Sequence, residues 1–81
     1  MATSNKPLQE AFGDVLREAR VDKGLSQQDL SQEADLDRTY VSMLERGLRQ
    51  PTLTTIVALA AALELQAETL VSRTIARFAA H

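Results

Sequence analysis

The stretch from Gln27 to Leu44, QQDLSQEADLDRTYVSML, restricts what this chain can fold into more than any other. Read at a helical period, its apolar positions Leu30, Ala34, Leu36, Val41 and Leu44 form two short helices. Each has one buried stripe, and the break falls at Asp35. Ser26 stands where it can cap the first helix, and Asp29 three residues on offers the reciprocal half of a capping box. Asp37 can cap the second. Asp35 occupies the corner, where a left-handed backbone is needed and Asp tolerates it better than most non-glycine residues. Two short helices joined by a tight corner are a helix-turn-helix, the motif whose second helix enters the major groove in proteins that bind DNA.

The second helix carries chemistry suited to that role. With Val41 and Leu44 inward, the opposite face presents Thr39, Ser42, Met43 and Arg46, and Arg38 projects from the first turn. These side chains donate, accept or touch a thymine methyl, and no acid stands among them. The competing reading is an ordinary solvated helix face. Charge distribution bears on the choice. The net charge is −2, which argues against a general nucleic-acid binder. Yet Leu8 to Asp35 holds seven acids against three bases, whereas Leu36 to Pro51 holds Arg38, Arg46 and Arg49 against Asp37 and Glu45. The segment expected to face DNA is therefore the positive one, and modest charge implies weak non-specific binding with recognition by base contacts and shape.

The run SQQDLSQEADLDRTYVSMLERGLRQPTLTTIVALAAAL resembles the Xre family of transcriptional regulators, which includes the lambda-type phage repressors and Cro. Within it, LDRTYVSMLERGLRQPTL is most similar to the controller proteins of bacterial restriction–modification systems. The resemblance covers Leu8 to about Leu70. Gln27 stands where that family opens its second helix with glutamine, the five apolar positions match its core, and Glu45-Arg46-Gly47 matches its usual ending. Ser31 stands in place of the usual alanine and Asp35 in place of the usual turn glycine, the latter at some cost in strain. The resemblance implies an all-α, compact five-helix, lambda-repressor-like DNA-binding domain. It also implies a pairing of Arg20 with Glu45 that ties the first helix to the end of the third, with a solvated Arg20 as the alternative. Arg46 and Arg49 belong beside the DNA backbone on this reading, Arg49 within reach of a groove edge, with a pair of solvated arginines as the alternative, and the C-terminal helices form a dimer contact.

The remaining chain supplies the scaffold. Eighty-one residues make one small domain, for which burying surface in a dimer is an advantage. Met1 to Pro7 reads as a polar, flexible arm, and residues 8–81 as the domain. The first helix shows Leu8, Ala11, Phe12, Val15, Leu16 and Ala19 at helical steps, with Gly24 ending it. Gly47 suits the end of the third helix, and Pro51 delays the next. The fourth begins at Thr52 and carries Leu53, Ile56, Val57, Ala60 and Leu63, with Leu59 and several alanines on its other sides; a helix apolar nearly all round is buried by its own core plus a partner. The last, about Ala67 to Ala79, shows Leu70, Val71, Ile75 and Phe78. Val71, Ile75 and Phe78 leave apolar surface for a dimer, or else simply close the core.

With no cysteine and a lone His81, read as a frayed tail, neither a disulfide framework nor a metal site is expected. No cofactor and no catalytic constellation are expected, so an enzyme is disfavoured. The uncharged run from Gln50 to Leu63 is too short for a bilayer, and the absence of a basic, apolar leader reads as cytoplasmic. The expectation is thus a sequence-specific regulator acting as a homodimer on an inverted repeat. Arg38 makes the main base contact. Thr39, Ser42 and Met43 read neighbouring edges, Tyr40 meets backbone or flank, and Gln27 holds a phosphate. RNA polymerase is a further expected partner, and no small-molecule effector is. Two alternatives stay open: an antitoxin whose apolar surface binds a toxin, and an interaction module that has lost DNA binding.

Overall fold

The computed structural model describes residues 5–80, which form five helices in the order α1 (Lys6–Lys23), α2 (Gln27–Ala34), α3 (Arg38–Glu45), α4 (Leu53–Ala62) and α5 (Ala67–Ala79). The tail reading of His81 and the first four residues of the expected arm lie outside the described residues. The helix begins at Lys6, so the arm ends earlier than its expected limit at Pro7. The Asn5 side chain accepts the Leu8 N–H at 3.0 Å, and Pro7 loses nothing in a first turn whose N–H groups have no helical partner. Apolar periodicity cannot register that turn, since its first member, Leu8, is itself exposed.

Ala11, Phe12, Val15, Leu16 and Ala19 of α1 are buried, as their spacing requires. Gly13 is buried with them for a different reason. A Cβ there would lie 2.5 Å from the Leu44 carbonyl oxygen and 2.6 Å from that of Glu45, so α1 and the end of α3 cross backbone against backbone. Gly24, at φ 79°, closes α1, with its own N–H on the Val21 carbonyl and the Leu25 N–H on that of Arg20.

The central pair forms as its capping residues dictate. Ser26 Oγ accepts the Asp29 N–H at 3.0 Å while Asp29 Oδ2 accepts the Ser26 N–H at 3.1 Å. Asp35 takes the left-handed conformation (φ 56°, ψ 47°), and Asp37 caps α3 through the Thr39 N–H. Leu30, Ala34, Val41 and Leu44 turn inward to meet Leu16, Leu59 and Leu70 in a single core. Leu36 is only half-buried, against that core's edge.

In α4 the expected apolar residues Ala60, Leu63 and the half-buried Ile56 do face the core, but Leu53 and Val57 do not. Leu53 and Val57 are 75% and 52% exposed, while Thr55, Leu59, Ala60, Ala62 and the following Leu63 are buried. A helix apolar on nearly every side gives periodicity no polar face from which to set its phase. The chain then turns through Glu64, a second non-glycine residue at positive φ (57°), and Glu64 pairs with Lys23. The last helix, α5, lies along α1. Leu70 and Thr74 face inward, Thr74 donating to the Leu70 carbonyl at 2.7 Å, and Arg77 pairs with Glu18 and, at 3.8 Å, with Asp14. Among the described residues no single helix is long and apolar enough to cross a membrane.

Candidate nucleic-acid interface

Eight residues of α-helix span about 12 Å, so α3 has the length of a rod that lies across one major groove. Its inner side is occupied by Val41, Leu44 and Glu45, all buried. Its first turn points Arg38 and Thr39 into solvent, and Arg46 is exposed at the other end. Ser42 and Met43, also expected on the outer face, are half-buried; each offers an edge rather than a whole side chain. Tyr40 is half-buried too, with its ring packed against the core margin.

The loop after α3 is built by Gly47, whose φ of 72° lets the Leu48 N–H reach back to the Met43 carbonyl at 2.9 Å. That geometry brings Arg49 over the Tyr40 ring, 5.7 Å from its centroid, within cation–π range. It also exposes Leu48, about half of it, at the loop's tip beside Arg49. The sequence reading passed over Leu48, because an isolated leucine in a loop carries no periodic signal.

Behind this surface, Arg20 and Glu45 form a two-pronged ion pair. Arg20 Nε donates to Oε2 at 2.6 Å and Nη2 to Oε1 at 3.1 Å, while Nη1 donates to the Leu25 carbonyl at 2.9 Å. The side chains are only 13% and 3% exposed. The hydrogen bond to Glu45 raises the Arg20 guanidinium above its ordinary value; burial works the other way, and the attraction of the carboxylate adds to the rise. Gln27 joins the same carboxylate, its Nε2 donating to Oε1 at 3.1 Å. The side chain expected to hold a phosphate at the start of α2 is thus itself held by Glu45, a link between residues eighteen positions apart that has no signature in local spacing.

A second surface lies apart from α3. Val71, Ile75 and Phe78 of α5 are 39%, 55% and 37% exposed, and α4 contributes the exposed Leu53 and Val57. Between α1, the loop before α4, and α5 runs an apolar cleft of about 250 Å³ lined by Leu8, Phe12, Pro51, Ile56, Val71 and Ile75. Exposed apolar side chains in this number on so small a domain are candidates for a contact region.

Known proteins align with both the motif and the scaffold. Residues 16–70 match the helix-turn-helix family model, from the middle of α1 to the start of α5. Control protein C.BamHI of Bacillus amyloliquefaciens is 41% identical over 64 residues, covering 78% of this chain and 79% of that protein. The crystal structure of the restriction–modification controller protein C.AhdI from Aeromonas hydrophila superposes with a TM-score of 0.75 at 45% identity, over 76% of this chain and 94% of that one. The controller protein C.Esp1396I, solved as a tetramer in complex with its natural 35-base-pair operator, superposes with a TM-score of 0.79 at 30% identity, over 88% and 93%. With its paired helices, its capped corner and these likenesses, the chain belongs to the Xre-like helix-turn-helix family of DNA-binding transcription regulators, within its controller-protein group.

Proposed function

We propose that this protein is a sequence-specific regulator that binds an inverted-repeat operator as a homodimer and controls a restriction–modification operon. The observation that carries the reading is the acid-free first turn of α3, with Arg38 and Thr39 exposed on a helix fixed by its caps and by the Arg20–Glu45 pair. Arg38 is the main base contact, its planar fork suited to guanine O6 and N7. Thr39 and the exposed edges of Ser42 and Met43 read neighbouring positions. Tyr40, Arg46 and Arg49 meet the backbone or the groove flank, and Gln27 holds a phosphate at the start of α2. Val71, Ile75 and Phe78, extended by Leu53 and Val57, supply the dimer contact. Two-fold symmetry sets half-sites about 34 Å apart. The site of action is the bacterial cytoplasm, and RNA polymerase is the partner through which occupancy becomes regulation.

The operator-bound structure of C.Esp1396I and the controller identity of C.BamHI and C.AhdI support this reading. In-vitro selection from a random DNA pool tests it. Wild type enriches an inverted repeat, and Arg38→Ala binds that repeat about 10- to 100-fold more weakly, losing preference at one base pair per half-site. Selection of the same repeat by wild type and Arg38→Ala with equal affinity would remove Arg38 from base recognition. Absence of any enriched sequence at low salt would sink the reading as a whole.

A further inference from the structure

We infer that Glu45, though buried and out of reach of DNA, is a positioning residue for binding: it aims the Gln27 amide so that one N–H faces a phosphate. The inference rests on the proposed role of Gln27 and deepens it. A carboxylate whose side chain is 3% exposed needs donors around it, and Glu45 has three: Arg20 Nε and Nη2, and Gln27 Nε2. The third is what fixes the amide. Its two ends are nearly isosteric, and only chemistry decides which faces inward. Turned the other way, Gln27 would set its own carbonyl oxygen against a carboxylate, acceptor against acceptor. With Nε2 inward, one of its two protons is used by Glu45 and the other is left to donate outward. An unheld glutamine would present the carbonyl to a phosphate as readily as the donor, and would lose rotamer freedom on binding. Arg20 acts one step further back, since its two-pronged grip sets the plane of the Glu45 carboxylate.

The ends of the three helices thus meet at one carboxylate. Arg20 comes from the last turn of α1, Gln27 opens α2 and Glu45 closes α3. A phosphate held by Gln27 is in this way registered against the recognition helix itself, through one side chain of that helix rather than through a flexible surface group.

The test uses a duplex carrying the selected inverted repeat, with a neutral methylphosphonate replacing one phosphate at a time. At one phosphate per half-site, wild type loses about tenfold in affinity on substitution, the effect expected of a charge-assisted hydrogen bond. Gln27→Ala loses that response, which identifies the phosphate. Glu45→Gln, with its fold verified by circular dichroism, also responds less than about twofold there, while keeping the wild-type response at phosphates held by other residues. A purely structural role for Glu45 would weaken binding at every phosphate alike. A full wild-type response in Glu45→Gln at the Gln27 phosphate overturns the inference and leaves the role of Gln27 standing. Finding no phosphate to which Gln27→Ala is indifferent overturns both. If Glu45→Gln does not fold, ¹⁵N relaxation of side-chain amides in the free wild-type protein decides. The Gln27 amide should be as rigid as the backbone while the exposed Gln28 and Gln32 on the same helix are mobile. Equal mobility of all three overturns the inference.

Discussion

Gly13 shows how one buried residue can set the placement of α3 without lying on its exposed face. In the interior of α1, glycine costs about 1 kcal/mol of helix stability relative to alanine, so Gly13→Ala should stabilise an isolated helix. Here the added methyl would meet two carbonyl oxygens of α3 at 2.5 and 2.6 Å, backbone atoms that move only if the helix moves. The clash outweighs the propensity. Gly13→Ala is expected to destabilise the fold by about 1–3 kcal/mol in urea denaturation, the usual range for an overpacked core site. The push falls on the Leu44–Glu45 segment, so the Arg20–Glu45 pair and the Gln27 amide beyond it are disturbed together. A Gly13→Ala protein as stable as wild type would mean that α1 and α3 stand further apart than the Cβ distances give. Sequence could have flagged this residue by a simple conflict: a glycine in the middle of an otherwise regular apolar stripe signals close backbone approach. It could not have named α3 as the neighbour.

At the level of elements, the helix ends were more legible than the helix faces. Ser26 with Asp29, Asp37, Thr52, Gly24 and Gly47 all act where their local chemistry places them, because caps are set by residues within a few positions of one another. Faces were legible only where polar residues framed the apolar ones, as in α1 and α3. In α4 no such frame exists, and Leu53 and Val57 emerged at the surface while Leu59 went inside. The site divides in the same way. The outward turn of Arg38 and Thr39 follows from the helical period, whereas the Gln27–Glu45 bond and the Arg49–Tyr40 contact depend on tertiary approach. The corner at Asp35 permits a direct test of the first kind of legibility. A left-handed L-residue costs about 1–2 kcal/mol, and glycine carries no such penalty but loses more entropy on folding. Since Asp35 is exposed at φ 56°, Asp35→Gly should raise the stability of the domain by about 0.5 kcal/mol, read as a higher urea midpoint at unchanged slope. A lower midpoint would show that the Asp35 side chain contributes more at the corner than its strain removes.

For the whole molecule, size and charge together favour the proposed homodimer. The domain measures 33 × 22 × 19 Å and has one α3, so on that proposal a single copy reads one half-site. Its net charge of −2 supplies little long-range attraction to a polyanion, and pairing doubles that charge. For the proposed dimer, affinity comes from joining two modest half-site contacts, where the second binds at the high effective concentration set by the first. On the proposed reading, the joint is the apolar face of α5 with Leu53 and Val57. Ile75 is the place to break it. At 55% exposure in the single chain, a lysine there keeps its charge in water and leaves the core untouched; in a dimer it would be buried without a partner. Ile75→Lys should therefore retain the helical circular dichroism and thermal transition of a folded domain, yet sediment as a monomer at micromolar concentration. Its affinity for the full inverted repeat should fall by about 100-fold or more, towards that for an isolated half-site, which wild type and variant should bind alike. Sedimentation of Ile75→Lys as an intact dimer would move the joint away from this face, leaving the α3 surface as the only part of the reading still attached to these residues.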